Sequence, residues 1–266
     1  MFKPKKSLGQ NFLSDSNVLN KIIDKANIGK GSVVLEIGPG QGSLTYALCK
    51  NAKEVIAVEK DQELFRYLVE KFKKVSNVKF VKNDILVFID SIEFKKLFSN
   101  KKWIVVANIP YYLTSHLIQK LISLDNRPSE IILMVQKEVA ERIVAQEGDM
   151  SILAISVQLY AKPEILFNVN KNSFWPAPKV DSAVIKLKVS NNGKLDLNEE
   201  DFFELVKAGF SAKRKILVNN LSKKLNIPKE NICAIFKEAN INISARPQDL
   251  SLVNWIFIYE KIYKKN

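Results

Sequence analysis

The chain is predicted to fold as a doubly wound α/β sheet followed by a small all-helical domain. Short runs rich in Val and Ile alternate with longer amphipathic stretches, and a glycine-rich turn follows the first of these runs. Beyond the polar cluster Ser190-Asn191-Asn192-Gly193, every element has helical periodicity. Taken in order, strands are expected at 33–37, 55–59, 78–81, 104–107 and 131–135, each a β-branched run of the kind a parallel sheet covers on both faces. Helices are expected at 44–50, directly after the glycine turn, and at 62–72, where Leu64, Leu68 and Phe72 recur at four-residue spacing. Two further strand-like runs, 164–169 and 183–189, have no long helix between them and suggest an antiparallel addition at the sheet edge. The last helices are expected at 199–210, 215–225, 229–239 and 252–264, with Asn198 as an N-cap and Pro228 in the first turn of its helix. The boundary near Gly193 divides the chain into 1–192 and 193–266.

Composition narrows the function. With 266 residues, 47% of them hydrophobic, there is material for one medium domain and a small one. The formal net charge is +13, split as a surplus of seven over the last 96 residues and six over the first 170, so positive charge is denser at the C-terminal end. Such a surplus attracts a polyphosphate backbone through counterion release, although solubility and a lysine-rich coding bias would also produce it. Cys49 and Cys233 lie far apart in apolar periodic stretches, where buried free thiols are expected. His116 is the only histidine, which excludes a multi-histidine zinc site, and no metal is expected. It is expected to be a packed or capping residue of the helix after the fourth strand. No apolar run is long enough to span a membrane and the N-terminus lacks the apolar core of a signal peptide, so a cytoplasmic protein is expected.

The run Val33-Val34-Leu35-Glu36-Ile37-Gly38-Pro39-Gly40-Gln41-Gly42 is a buried strand entering a turn whose glycines admit positive φ and a close ligand. A dinucleotide fingerprint would put its third glycine at position 43, which is Ser43, so NAD is the weaker reading. The Glu-x-Gly-x-Gly-x-Gly pattern resembles the first motif of Rossmann-like class I methyltransferases, which use S-adenosyl-L-methionine. Glu59 ends the second strand, where a carboxylate can accept both hydroxyls of a ribose, and Asp84 ends the third, where one can accept from an adenine amine. Either could instead cap a helix.

Asn108-Ile109-Pro110-Tyr111 follows the fourth strand and is similar to the (Asn/Asp/Ser)-x-Pro-(Tyr/Phe) motif of enzymes that methylate exocyclic amines of bases. The lone pair of adenine N6 is delocalised into the ring and is a poor nucleophile. Two acceptors, the Asn108 side-chain oxygen and the Ile109 carbonyl, can draw the amine toward a tetrahedral shape and aim its lone pair at a methyl sulfonium. Pro110 holds the backbone so that both converge, and Tyr111 offers a face for the base, a contact worth roughly 1–3 kcal/mol.

Three further segments resemble the KsgA-type ribosomal RNA adenine dimethyltransferases, and the resemblance runs from about Lys5 to about Trp255. Lys5-Lys6-Ser7-Leu8-Gly9-Gln10-Asn11-Phe12-Leu13 looks like the family's N-terminal motif, which implies that Gln10, Asn11 and Leu13 contact the cofactor together with Gly38, Gly40, Glu59, Asp84 and Asn108. Phe174-Trp175-Pro176-Ala177-Pro178-Lys179-Val180 matches the Phe-x-Pro-x-Pro-Lys-Val segment, which implies Phe174 stacking on a flipped adenine opposite Tyr111. Phe210-Ser211-Ala212-Lys213-Arg214-Lys215 and Arg246-Pro247-Gln248-Asp249-Leu250-Ser251 resemble the family's helical domain, which implies that Lys213, Arg214 and Lys215 meet rRNA phosphates; a solvated helix start is the bland alternative. Two departures stand out: Ile109 where Leu is usual, and Gly148-Asp149-Met150-Ser151 lacking the expected Tyr-Gly. The resemblance implies N6,N6-dimethylation of two adjacent adenosines near the 3′ end of 16S rRNA during small-subunit assembly, and nothing demands more than a monomer. The rivals are an Erm-type enzyme acting on 23S rRNA, a non-catalytic rRNA-binding assembly factor, and a DNA adenine methyltransferase, whose usual motif has two consecutive prolines.

Overall fold

The structure, a computed structural model, describes residues 4–5, 10–109, 113–190 and 197–264. The chain runs β1 (Phe12–Leu13), α1 (Ser16–Lys25), β2 (Val33–Ile37), α2 (Ser43–Asn51), β3 (Glu54–Glu59), α3 (Gln62–Lys71) and β4 (Val78–Lys82). It continues with α4 (Ile85–Phe88), α5 (Ile92–Phe98), β5 (Trp103–Asn108), α6 (Thr114–Ile122), β6 (Glu130–Gln136), α7 (Lys137–Ile143) and α8 (Ile152–Gln158). The last elements are β7 (Ala161–Val169), β8 (Phe174–Trp175), β9 (Ser182–Val189), α9 (Glu199–Gly209), α10 (Leu217–Leu225), α11 (Lys229–Glu238) and α12 (Leu252–Tyr263).

Two compact units emerge, Met1–Ala140 with Ala161–Asn191, and Glu141–Tyr160 with Asn192–Asn266. The sequence boundary at Gly193 lies outside the described residues. The second unit also takes residues 141–160, which the sequence places in the first, because Gly148 N and Met150 N both donate to the carbonyl of Gln248, at 3.0 and 3.1 Å. Those two bonds tie the 148–151 loop, where the sequence lacks the Tyr-Gly, to Gln248.

In the first unit a seven-stranded sheet has the order β4-β3-β2-β5-β6-β9-β7. The β2–β6 ladders are parallel, whereas β9 is antiparallel to both β6 and β7. The antiparallel strand therefore lies inside the sheet, and β7 forms the edge. Val34, Leu35, Val55, Ile56, Val105 and Val106 are all fully buried, as the unbroken apolar runs require. Each such Leu or Ile contributes roughly 1.5–3 kcal/mol by leaving water. On one face α1 and α2 bring Leu19, Ile22, Leu44 and Leu48 into the core beneath the sheet. Cys49 and Cys233 are free and only partly buried, less enclosed than expected. His116 is exposed on α6, so it is not a packed residue.

The second unit is helical. Asn198 caps α9 by accepting from Glu200 N and Asp201 N, as expected. Its core closes on Phe202, Leu221, Phe236 and Trp255, all fully buried, with Phe210 stacked on Trp255 at 5.7 Å. Gly209 sits where no side chain fits: a Cβ there would overlap the Trp255 ring and come 2.8 Å from Leu217 Cδ1. Gly209→Ala is accordingly expected to destabilise the protein by about 1–3 kcal/mol, read as a lower urea midpoint with an unchanged slope. Among the described residues no helix is long and apolar enough to cross a membrane.

Candidate active site

The strand order reverses direction at β2, whose neighbours are β3 on one side and β5 on the other. Loops leaving the carboxyl ends of β2 and β5 diverge there, and open α/β sheets offer their ligand crevice at that point. Ile37 pairs with Ala107, so the glycine turn and Asn108 leave the sheet side by side. A cavity of about 400 Å³ opens between them, large enough for a nucleoside-sized ligand. The eight residues expected to contact a cofactor all line it, and so does Ile109. Pro110 and Tyr111 lie outside the described residues.

The glycines are needed for position as much as for conformation. Gly40 has φ 58°, and a Cβ there would stand 3.0 Å from the Phe12 ring. Gly42 has φ 81°, and its Cβ would be 2.7 Å from Phe72 Cε2. The turn can therefore be neither reshaped nor thickened without displacing β1 or α3.

Three carboxylates border the turn. Glu59 is 7% exposed; its Oε2 accepts from Gly40 N at 3.3 Å and its Oε1 from Asp61 N at 2.8 Å. Burial pushes its pKa above the usual carboxylate range despite those bonds. Asp84 caps α4 by accepting from Leu86 N at 2.9 Å, and it pairs with Lys60 at 2.8 Å. Burial opposes ionisation of Asp84, but the Lys60 ammonium and the Leu86 amide outweigh it and hold its pKa low. Asp84 therefore caps a helix and also lines the cavity.

Glu36 is the cavity-lining carboxylate that sequence reasoning misses. It lies inside β2, is fully buried, and lines the cavity. Neither of its oxygens has a hydrogen-bond partner among the described residues, and Thr45 Oγ1 beside it has none either. Burial pushes the Glu36 carboxyl up to about 8; the nearby Thr45 hydroxyl offsets part of this and the Glu59 charge adds to it. The signal is present in the sequence, since an acidic residue in the middle of a buried apolar strand needs a reason.

Asn108 ends β5 with its amide already oriented. Its Nδ2 donates to the carbonyl of Asn11 at 3.3 Å, leaving Oδ1 as the acceptor on the other branch. Asn11 belongs to an N-terminal strap. Gln10 Oε1 accepts from Lys5 N at 2.8 Å, and Lys5 Nζ bridges Asp61 at 2.7 Å and Glu63 at 2.9 Å. The strap then enters β1, which pairs antiparallel with β8, Phe12 opposite Trp175 and Leu13 opposite Phe174. Ser14 adds two bonds to the Ser173 carbonyl, from its N–H at 3.0 Å and its hydroxyl at 3.1 Å.

Successive strand residues point to opposite faces. Phe174 is accordingly 4% exposed and packed in the core with Leu13 and Val18, and is absent from the cavity lining. Trp175 lines the cavity instead. The three cationic residues Lys213, Arg214 and Lys215 belong to the second unit and are all exposed. They occupy the turn before α10, which starts at Leu217 two residues later than expected. Asn220, 5% exposed, holds that turn by donating to the carbonyls of Gly209 at 2.7 Å and Ala212 at 3.0 Å. No cluster of His, Cys, Asp and Glu able to hold a metal ion occurs among the described residues.

The family model described as ribosomal RNA adenine dimethylase matches residues 1–264. A protein of Caldanaerobacter subterraneus named ribosomal RNA small subunit methyltransferase A is 40% identical over 265 residues, 98% of this chain and 98% of its own length. The protein of the same name from Dehalococcoides mccartyi strain 195 is 39% identical over 95% of this chain and 86% of its own length. Among solved structures, a dimethyladenosine transferase from Plasmodium falciparum superposes with a TM-score of 0.79 at 30% identity, over 93% of this chain and 95% of that one. The 23S rRNA methyltransferase ErmE superposes with a TM-score of 0.76 at 25% identity, over 95% of this chain and 99% of that one.

Proposed function

The chain belongs to the ribosomal RNA adenine dimethylase family, and on that premise we propose that it dimethylates N6 of adenosines in small-subunit rRNA with S-adenosyl-L-methionine. The observation that carries the reading is the convergence of Asn108 and Ile109 with Glu36, Glu59 and Asp84 on one cavity. The cavity fits the cofactor: the buried, unpartnered Glu36 carboxyl suits its ammonium, Glu59 its ribose hydroxyls and Asp84 its adenine amine. Gln10, Asn11, Leu13, Gly38 and Gly40 line the same cavity and would complete the cofactor's surroundings. When bound, the cofactor supplies an electrophilic methyl group on a sulfonium.

The chain's own residues do the rest. Asn108 Oδ1 and the Ile109 carbonyl accept from the adenine amine and localise its lone pair, a positioning and electrostatic role. Tyr111, which with Pro110 lies outside the described residues, is proposed to stack on the base. Phe174 backs the wall from the core. The amine proton passes to water after transfer; His116 is exposed on α6 and is not among the cavity-lining residues. The same geometry serves the second methyl and the neighbouring adenosine. A monomer acting in the cytoplasm on the rRNA of the assembling small subunit completes the reading.

Lys213, Arg214 and Lys215 take rRNA phosphates. Replacing all three by Gln is expected to weaken rRNA binding and to flatten its dependence on log salt by about 2–3 units, measured by titration from 50 to 300 mM salt. An unchanged slope would remove these residues from the interface. The function itself is tested by transfer of labelled methyl from S-adenosyl-L-methionine to undermethylated small subunits, with large-subunit rRNA in parallel. Label on small-subunit adenine alone is expected. Label on the large-subunit RNA would move the chain to the Erm-type activity, and binding without label would leave an assembly factor.

A further inference from the structure

The chain has three tryptophans, and Trp175 alone presents its ring to solvent: it is 45% exposed, against 1% for Trp103 and 0% for Trp255. A half-exposed indole on the wall of a cavity is a large apolar surface without an obvious structural purpose. Its backbone is firmly held. Besides the β1–β8 pairing, the Ser173 hydroxyl donates to Asp15 Oδ2 at 3.0 Å. The loop is closed at its far end by Asp181, whose Oδ1 accepts from Lys171 N at 2.9 Å and whose carbonyl accepts from Lys137 N at 3.1 Å. Asn11, which orients the Asn108 amide, stands next to Phe12, the register partner of Trp175. One short ladder therefore positions both the amine acceptor and the indole. Lys171 and Lys179 are exposed on the same loop, so cationic groups for a phosphate backbone flank the aromatic face.

Resting on the reading of the cavity as an adenine methylation site, we propose that Trp175 contacts the RNA substrate directly, its indole stacking on a base at the cavity mouth. Stacking of this kind tolerates any base and adds affinity without touching the reacting atoms. Trp175 then governs KM for RNA and leaves kcat nearly alone. This role differs from that expected of Phe174, which is buried in the core behind it.

Because Trp103 and Trp255 are enclosed, acrylamide quenching of tryptophan emission reads Trp175 almost by itself. Protein-free small-subunit rRNA is expected to protect that emission, whereas S-adenosylhomocysteine alone is expected to leave it accessible. In methylation of undermethylated small subunits, Trp175→Ala should raise KM by about tenfold to a hundredfold with kcat within about threefold, and Trp175→Phe should restore KM. Protection by S-adenosylhomocysteine alone, or an unmoved KM in Trp175→Ala, would overturn the role of Trp175 while wild-type methylation stands. A wild type that methylates no small subunit would overturn the underlying reading itself.

Discussion

Asn108→Ala is expected to slow methyl transfer by about 10²–10³-fold while rRNA affinity stays within a few-fold of wild type. The magnitude is that of removing one preorganised polar group aimed at a developing charge. The amide is preorganised because its nitrogen end is committed to the Asn11 carbonyl, so the oxygen need not turn when the base arrives. Asn108→Asp separates the two functions of the side chain. It keeps an acceptor for the adenine amine, but it loses the N–H that reaches Asn11 and sets a carboxylate against that carbonyl. An intermediate loss in single-turnover rate is expected from Asn108→Asp, accompanied by weaker cofactor binding as the strap loosens. If Asn108→Ala turned over at the wild-type rate, the acceptor mechanism would be wrong.

The second large effect concerns pH. Glu36 is buried without a hydrogen-bond partner, and its carboxyl is pushed up to about 8, whereas in the unfolded chain it titrates near the ordinary value of 4.5. Between those values the folded protein holds a proton that the unfolded chain releases. The stability supplied by neutral Glu36 is therefore complete below about pH 4.5, declines above it, and is lost once pH has risen through about 8. A tenfold change in the affinity for that proton corresponds to about 1.4 kcal/mol, so the loss is on the order of a few kcal/mol. Glu36→Gln keeps the shape and removes the titration. Urea denaturation between pH 5 and 9 should show the wild type losing more stability with pH than the variant, in which the buried Glu59 still titrates, the variant being the more stable at pH 9. Parallel profiles for the two proteins would show that Glu36 is ionised and solvated in the fold.

Much of this is legible in the sequence because the informative signals are local. The β2 run is legible to the residue, and the other parallel strands to within a residue at each end, since an unbroken Val/Ile run has few ways to be buried. The Asn198 cap and the glycine turn are legible for the same reason. What escapes depends on partners distant in sequence. β1 and β8 are two residues each, too short for any periodicity, and exist only because they pair with one another. Without that pairing the sequence does not say which of Phe174 and Trp175 faces inward. Residues 141–160 belong to the helical unit through contacts distant in sequence, among them the two amide bonds to Gln248. Lys215 looks helical because the charge run adjoins an amphipathic period; Asn220 instead holds residues 210–215 in a turn.

The sheet order and the β1–β8 ladder also dictate a sequence of assembly in time. Strands β2 to β6 find their neighbours among one another, whereas β7 is the sheet edge and its ladder runs to β9. β1 waits longest, since the bond from the Ser14 hydroxyl to Ser173 spans 159 residues. A chain leaving the ribosome through β6 can form five parallel strands and the glycine turn, yet β1 still lacks its partner β8 and the cavity still lacks Trp175. Closing so long a loop comes late, after the local contacts have formed. Residues 173–189 then complete the cavity wall and the sheet edge together. The pairing that anchors the strap is thereby available only late in synthesis, once β8 has been made.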